Sequence, residues 1–367
     1  MLEELKSYLD KVRLIQYSIL QYIDEVHNVE EKWTNLIQLI NSYKIKDDYH
    51  EIETILRLIN KICKNHRHTY DFFGKIEKII LIFKDEIKLN FSNITIFRFF
   101  KSNKRIIFFL NEQGIITIDK YISEIIMQYN YEKLKYPIYF FKEIRPFINE
   151  EEQNKILKEY NEYNDDFDMK RKIGENDDYI CQLIRQDNID EFISYIAKND
   201  ISINSKIKNS IFETNRYFLK QNYISLIKYS TFFGSIQITK YLKSNGVELQ
   251  SYLWLYSVHS NDQETIDYLY DNKIEIKYIN INDIYKESIK CHHNDIINHI
   301  NYLYYTNENT QDDFNSYALN YYNFSFIDFK SFDKTNFFIM CKYSHYMFVN
   351  ILLKYNKIDI NETYIYI

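Results

Sequence analysis

Residues 333–354 read DKTNFFIMCKYSHYMFVNILLK, and residues 225–249 read SLIKYSTFFGSIQITKYLKSNGVEL. In each stretch an apolar helical segment runs into a tight polar turn, and a second helical segment begins after it. The same order returns from Trp254 and from Ser288, with a period of about thirty residues. Self-similarity at such a period predicts stacked helix–turn–helix repeats that bury their apolar faces against one another.

The repeats occupy the second half of the chain. We place copies near 177–204, 222–249, 251–276, 281–303 and 333–361, and a degenerate copy at 314–330. The turns between the two helices of a copy are predicted at Gly234, Asn261, His292 and Ser344. A helix that ends in a left-handed residue favours Gly there, and Asn tolerates the same backbone region fairly well.

The first half lacks the repeat but is also predicted to be helical. Apolar residues follow helical spacing from Leu5 to Ile23, and similar stripes run through 33–40, 52–62 and 72–87. The alternation typical of strands is nowhere sustained. We therefore predict an all-α protein with a helical N-terminal domain at 1–172 and a repeat domain at 173–367. The charge-rich segment 161–178 is predicted to be a polar linker or exposed turn.

Composition excludes several classes of protein. The 367 residues include only 5 Gly and 2 Pro and carry a net charge of -6, so collagen-like chains and general nucleic-acid binders are disfavoured. No apolar stretch reaches about 18 residues, and Met1 does not begin a secretory signal. The four cysteines are scattered, which is typical of a reducing compartment. We predict a cytoplasmic protein, with the nucleus as the alternative, and no nucleic-acid or membrane partner.

Two clusters carry side chains that suit zinc. Cys63 lies close to His66 and His68, and Cys291 lies close to His292, His293 and His299. Nothing upstream offers a second ligand pair at zinc-finger spacing, so we predict structural or solvent-exposed roles for both clusters, with no metal and no cofactor. Glycine-rich phosphate loops and hydrolase or kinase motifs are missing from the sequence, which predicts a non-enzymatic protein.

The repeats resemble ankyrin repeats, whose pattern is Asp-Gly-x-Thr-Pro-Leu-His-x-Ala-Ala-x-x-Gly-His followed by a second helix. More specific segments are SIFETN at 210–215, FFGSIQ at 232–237 and LWLY at 253–256, with GEND at 174–177 before ICQLIR at 180–185. These segments, and NHRH at 65–68, resemble an ankyrin subfamily expanded in protozoan parasites that carries an ankyrin-like domain of unknown function. The turn proline of the family pattern is absent here.

The resemblance implies a monomeric, non-catalytic scaffold that binds an unidentified partner protein through its concave face and loop tips. Carried over by position, the outward residues just before the turns are Phe232, Phe233, His259, Ser260, Lys290, Cys291, Lys342 and Tyr343. The loop-tip candidates are Gln221, Asn222, Ser331 and Phe332. Two alternatives remain open: Phe232 and Phe233 pack between repeats, or the N-terminal half hides the active site of a hydrolase or transferase.

Overall fold

The computed structural model describes residues 1–66, 69, 71–128, 135–163, 166–276, 279–304, 314–329 and 334–355. Helices make up 72% and strands 2% of the structure, which confirms the predicted all-α class. Within the described ranges, no helix combines the length and the apolar character that crossing a membrane requires.

The helices differ widely in length, from four residues to the 23 residues of the first. In chain order they are α1 (Leu2–Asp24), α2 (Val29–Ser42), α3 (Tyr49–Asn65), α4 (Phe72–Ile82), α5 (Lys84–Asn90), α6 (Asn93–Phe100), α7 (Lys104–Glu112), α8 (Lys120–Gln128), α9 (Tyr136–Tyr139), α10 (Phe141–Ile144), α11 (Glu150–Tyr160), α12 (Phe167–Ile173), α13 (Tyr179–Arg185), α14 (Ile189–Lys198), α15 (Arg216–Leu219), α16 (Leu226–Phe233), α17 (Ile236–Ser244), α18 (Leu253–Ser260), α19 (Gln263–Asp271), α20 (Ile281–Cys291), α21 (Asn294–Tyr304), α22 (Asn315–Tyr321), α23 (Lys334–Lys342) and α24 (Tyr346–Lys354). Short 3₁₀ helices occupy Ile45–Asp47, Arg145–Phe147 and Phe324–Phe326.

The chain divides into two compact units. The first unit combines Met1–Lys61 with Asn309–Ile367, and the second unit comprises Ile62–Glu308. The predicted domain boundary at 172/173 therefore falls inside the second unit, and the two ends of the chain belong to one unit.

The first unit is built on the apolar face of α1. All six predicted apolar positions of this helix are buried: Leu5, Leu9, Val12, Ile15, Ile19 and Ile23. Helix α1 packs against α2, α24 and the 3₁₀ helix Phe324–Phe326. Gln16, which is 1% exposed, donates from Nε2 to Asn323 Oδ1 at 2.9 Å and accepts from the Phe324 amide at 2.7 Å. Buried hydrogen bonds thus also hold the N-terminal segment of this unit to its C-terminal segment.

The second unit contains successive helix pairs. The first helices of neighbouring pairs are in contact, α13 with α16, α16 with α18 and α18 with α20. Second helices also touch, α14 with α17 and α19 with α21. Gly234, Asn261 and His292 have φ angles of 69°, 50° and 63° at their turns, and Ser344 in the first unit has 61°. The four predicted turn positions are therefore confirmed as left-handed residues.

One short hairpin interrupts the helices. Strands β1 (Lys206–Lys208) and β2 (Tyr223–Ser225) pair antiparallel, with Ile207 opposite Ile224. Both isoleucines are buried, while Lys206, Lys208 and Tyr223 are exposed. Within the described residues, sheet is confined to this hairpin.

The segment 161–178, predicted to be a polar linker or exposed turn, contains a helix that packs against its neighbours. Helix α12 contacts α7, and its Arg171 is only 2% exposed. The Arg171 guanidinium lies 3.9 Å from the centroid of the Phe108 ring and donates to both carboxylate oxygens of Glu143 at 2.9 Å. A charge that finds such partners can be buried, which the local composition does not reveal.

Candidate functional site

Most of the predicted partner-binding residues before the turns are not on the surface. Phe232, His259, Ser260 and Lys290 are at most 4% exposed, so their expected outward position is wrong. Phe232 stacks on His259 with ring centroids 4.4 Å apart, because these positions face the next helix pair. For Phe232 the structure agrees with the alternative of packing between repeats. Phe233 is half-buried against the ring of Phe218, 5.8 Å away.

The remaining candidates lie elsewhere. Lys342 is exposed and Tyr343 is half-buried in the first unit, where Lys61 Nζ lies 5.1 Å from the Tyr343 ring centroid. Phe332 and its neighbour Ser331 lie outside the described residues. A role of Lys342 and Tyr343 in partner binding stays a prediction.

The loop-tip candidates Gln221 and Asn222 line a cleft of about 420 Å³ beside the hairpin, which we call the hairpin cleft. Its other lining residues are Lys135, Tyr163, Asp177, Lys208, Asn209, Ser210, Ile211 and Tyr223. Asn209 fixes its wall by donating to the Phe218 carbonyl at 2.7 Å. Asp177 accepts from the Ser210 hydroxyl at 2.6 Å and pairs with Lys170 at 3.1 Å. The cleft is concave, and its rim carries the exposed side chains of Asn222, Tyr223 and Lys208.

A second cleft, of about 490 Å³, lies in the N-terminal half, where the enzyme alternative would place an active site. Its carboxylates come from Asp71, Glu77 and Glu175. Glu77 forms an ion pair with Arg105, and Glu175 Oε2 is 2.9 Å from Arg185 Nε. Burial raises the pKa of Glu77 against the opposing effect of the Arg105 charge. Among the described residues that line this cleft there is no cysteine or histidine, and two of its three carboxylates are held by arginines.

A group of chemically reactive side chains is buried between α18 and α20. His259 Nδ1 lies 3.1 Å from Cys291 Sγ, and His259 Nε2 lies 2.9 Å from Glu287 Oε1. The Lys290 ammonium donates to the same Glu287 oxygen. We call His259, Glu287, Lys290 and Cys291 the α18–α20 cluster.

Electrostatics in this cluster follow from burial and pairing. Burial alone would raise the pKa of Glu287, but the hydrogen bond from His259 and the charge of Lys290 hold it below its usual range. Burial lowers the pKa of His259 and outweighs the effect of Glu287. Burial also raises the pKa of Cys291 well above its usual range, and the Glu287 charge adds to this. The ground state is therefore a thiol, a neutral imidazole and a carboxylate–ammonium pair.

The order thiol–imidazole–carboxylate is that of a nucleophile, its base and an orienting acid. However, Cys291 and His259 are 0% exposed, and neither cleft is lined by them. A thiol that no substrate can reach, and that stays protonated, gives no support to nucleophilic catalysis.

Three of the histidines singled out in the sequence, His66, His293 and His299, take part in buried or partly buried hydrogen bonds. His293 Nδ1 is 2.8 Å from the Val258 carbonyl oxygen, and its Nε2 is 3.0 Å from His66 Nδ1. His66 Nδ1 also lies 2.8 Å from the Cys291 carbonyl oxygen. His299 Nε2 pairs with Asp267 at 2.7 Å. Their proposed companion His68 lies outside the described residues.

Sequence reasoning missed the association of His259 and Glu287 with Cys291, because it grouped residues that are close along the chain. The repeat register contained the signal, since His259 and Lys290 occupy equivalent positions in consecutive copies. Glu287 and Cys291 share a helix face through their spacing of four. No protein-family model, curated protein or solved structure matches the chain.

Proposed function

We propose that this chain is a non-catalytic scaffold of the ankyrin type, a monomer of the cytoplasm or nucleus, which binds a partner protein at the hairpin cleft. Two features support the ankyrin assignment. Successive helix pairs contact each other through their first helices, and a left-handed residue joins the two helices at each predicted turn. In such stacks, function resides in surface side chains that the repeats present.

The observation that carries the proposal is the hairpin cleft itself. Its volume of about 420 Å³ is within the range of ligand sites, and suits an inserted loop or extended segment of a partner. Tyr223 at its rim is 58% exposed, and tyrosine provides contact area at low entropic cost. Lys208 adds an exposed cationic side chain at the rim, so a partner segment with an acidic residue is favoured; Lys135 is already paired with Glu159 at 3.3 Å.

Site-specific photo-crosslinking tests the location of the binding site. A photoreactive phenylalanine analogue is placed at Tyr223 in one variant and at Tyr302 in another, and both are expressed in the source cell. Tyr302 is the matched control because it is 73% exposed, lies on α21 of the same unit and does not line the cleft. We expect one defined protein adduct from position 223 only. Equal adducts at both positions, or none at 223, would overturn the proposal.

Affinity measurements with the identified partner then test the energetics. Tyr223→Ala should weaken binding about tenfold or more, as expected where an aromatic side chain is a binding hot spot. Tyr302→Ala should leave the dissociation constant unchanged. Isothermal calorimetry on purified proteins gives both values.

A further inference from the structure

Helix α20 presents two potential metal ligands on one face. Glu287 and Cys291 are four residues apart, which places one side chain above the other on an α-helix. His259 of the neighbouring helix α18 lies against both. Its Nε2 atom is 2.9 Å from Glu287 Oε1 and 3.7 Å from Cys291 Sγ. The three ligand atoms all lie within 4.8 Å of one another.

These separations fit a tetrahedral zinc ion. With Zn–S near 2.3 Å and Zn–N or Zn–O near 2.0 Å, the geometry sets sulfur and nitrogen about 3.6 Å apart, and nitrogen and oxygen about 3.3 Å apart. Thiolate, imidazole and carboxylate are the side-chain ligands of zinc, whereas calcium and magnesium take oxygen ligands. We infer that His259, Glu287 and Cys291 form a zinc-binding site that links helix α18 to helix α20.

The surroundings hold the histidine in place for this role. The Phe232 ring stacks on the imidazole at 4.4 Å with an interplanar angle of 22°, and the Tyr217 ring centroid also lies 4.4 Å away. His259 and Cys291 are buried, which shields a zinc-bound thiolate from oxidants. The Glu287 side chain is 15% exposed and gives an ion a route from solvent. Three protein ligands leave the fourth coordination position to water.

Lys290 competes with the metal for the carboxylate. Its ammonium contacts the same Glu287 oxygen that faces His259. When zinc binds, the Cys291 thiol loses its proton, so the ion and the thiolate together add one positive charge to the cluster. The Lys290 ammonium repels that charge. Replacing it with a neutral side chain of similar length therefore tightens zinc binding.

Cobalt titration of the full-length protein tests the site. The purified chain is stripped with a chelator under reducing conditions and titrated with Co²⁺, whose absorption reports its ligands. We expect a thiolate-to-cobalt charge-transfer band that saturates at one ion per chain and disappears when Zn²⁺ is added. A wild-type titration without this band overturns the inference, whatever the variants show.

Variants identify the ligands. Cys291→Ser should abolish the charge-transfer band, and Glu287→Gln should weaken cobalt binding at least tenfold. Lys290→Met should strengthen it. Cys181→Ser, at a buried thiol on α13, and Cys341→Ser, at an exposed thiol, are the matched controls and should keep the band. If Cys341→Ser removes the band and Cys291→Ser does not, the ion sits on the surface thiol and the inference is wrong.

The test does not depend on partner binding. Cobalt is titrated into the purified chain, and partner capture is read from position 223 in cells. A negative result in one experiment therefore does not contradict the proposal that the other experiment tests.

Discussion

Four residues at the turns of the helix pairs adopt a backbone conformation that most side chains avoid. Gly234, Asn261, His292 and Ser344 have φ angles between 50° and 69°. A left-handed conformation costs about 1–2 kcal/mol for a residue with a Cβ atom, least for Asn, and nothing comparable for glycine. The strain therefore differs from turn to turn, although the geometry is the same.

Gly234→Val should lower the free energy of unfolding by about 1–2 kcal/mol, because a β-branched side chain is strained at φ 69°. Gly234→Asn is the matched control and should lose less, since Asn visits the left-handed region. Thermal melts of the two variants measure the difference. A valine variant that melts with the wild type would contradict the left-handed turn.

Ser344→Gly should have the opposite effect. The residue has a φ of 61°, so glycine relieves the strain, while the larger entropy of glycine in the unfolded chain offsets part of the gain. We expect a net stabilisation of about 0.5–1 kcal/mol. Ser344→Ala keeps a Cβ atom and should give no gain. Equal melting temperatures for the two variants would argue against strain at this turn.

We expect His345 to make the first unit sensitive to acid. Its Nε2 donates to the Leu319 carbonyl oxygen at 2.8 Å, and burial lowers the pKa of the imidazole to about 4. The unfolded chain then binds the proton more readily than the folded one, so stability is full above pH 6.5 and falls as the pH drops toward 4. The loss across this range is about 3 kcal/mol.

His345→Gln retains an N–H donor for the Leu319 carbonyl but does not titrate. Its free energy of unfolding should therefore fall by about 3 kcal/mol less than that of the wild type between pH 7 and pH 4. Denaturant titrations at a series of pH values measure how the free energy of unfolding of each protein changes with pH. The same change in both proteins would show that another group causes the acid sensitivity.

At the scale of the helix, α12 shows that local sequence does not determine which side chains are buried. Helices with regular apolar spacing, such as α1, could be predicted because one face carries the pattern. The sequence of α12 instead presents Lys170, Arg171 and Lys172, which is typical of a solvated segment. Arg171 is buried because Phe108 and Glu143, far away along the chain, provide a ring face and a carboxylate. No local pattern contains those partners.

The α18–α20 cluster could not be predicted from local sequence for the same physical reason, because its members lie on different helices. Cys291 could be identified as a reactive residue from the sequence, and the repeat period places α18 beside α20. The rotation of each helix about its axis decides which side chains meet, and His259 faces inward because of it. If α18 were rotated by half a turn about its axis, His259 would lie on the surface, as the resemblance implied.

Arg171→Met tests whether the buried charge stabilises α12. The variant removes the donors to Glu143, Asp168 and the Tyr139 carbonyl, and leaves the Glu143 carboxylate without its guanidinium. We expect the free energy of unfolding to fall by about 3 kcal/mol. Lys155→Met breaks the exposed pair with Glu151 and should leave the melting temperature unchanged. Similar melting temperatures for both variants would contradict a stabilising role.

At the scale of the whole molecule, the two compact units cut across the pattern of the sequence. The predicted repeats begin near residue 177. The second unit begins at Ile62 and therefore includes helices of the N-terminal half. Phe212 is 0% exposed because the Phe167 and Tyr139 rings lie 5.3 Å and 6.5 Å from it. Asn215 donates to the His66 carbonyl at 3.3 Å. The segment between the first two repeats therefore packs against residues of the N-terminal half that carry no repeat.

Fragments of the chain test this division. Residues 62–308 keep every contact of the second unit, so this fragment should melt in one cooperative transition and elute as a compact monomer. Residues 173–367, the predicted repeat domain, lose the rings that cover Phe212 and also lose α1, which provides Gln16 to Asn323 and Phe324. Exposed apolar surface of this kind promotes association, so the second fragment should melt broadly, bind a hydrophobic dye and aggregate. Circular dichroism melts and size-exclusion chromatography distinguish the two. A cooperative 173–367 fragment beside a non-cooperative 62–308 fragment would show that the repeats, and not the compact units, are the units of folding.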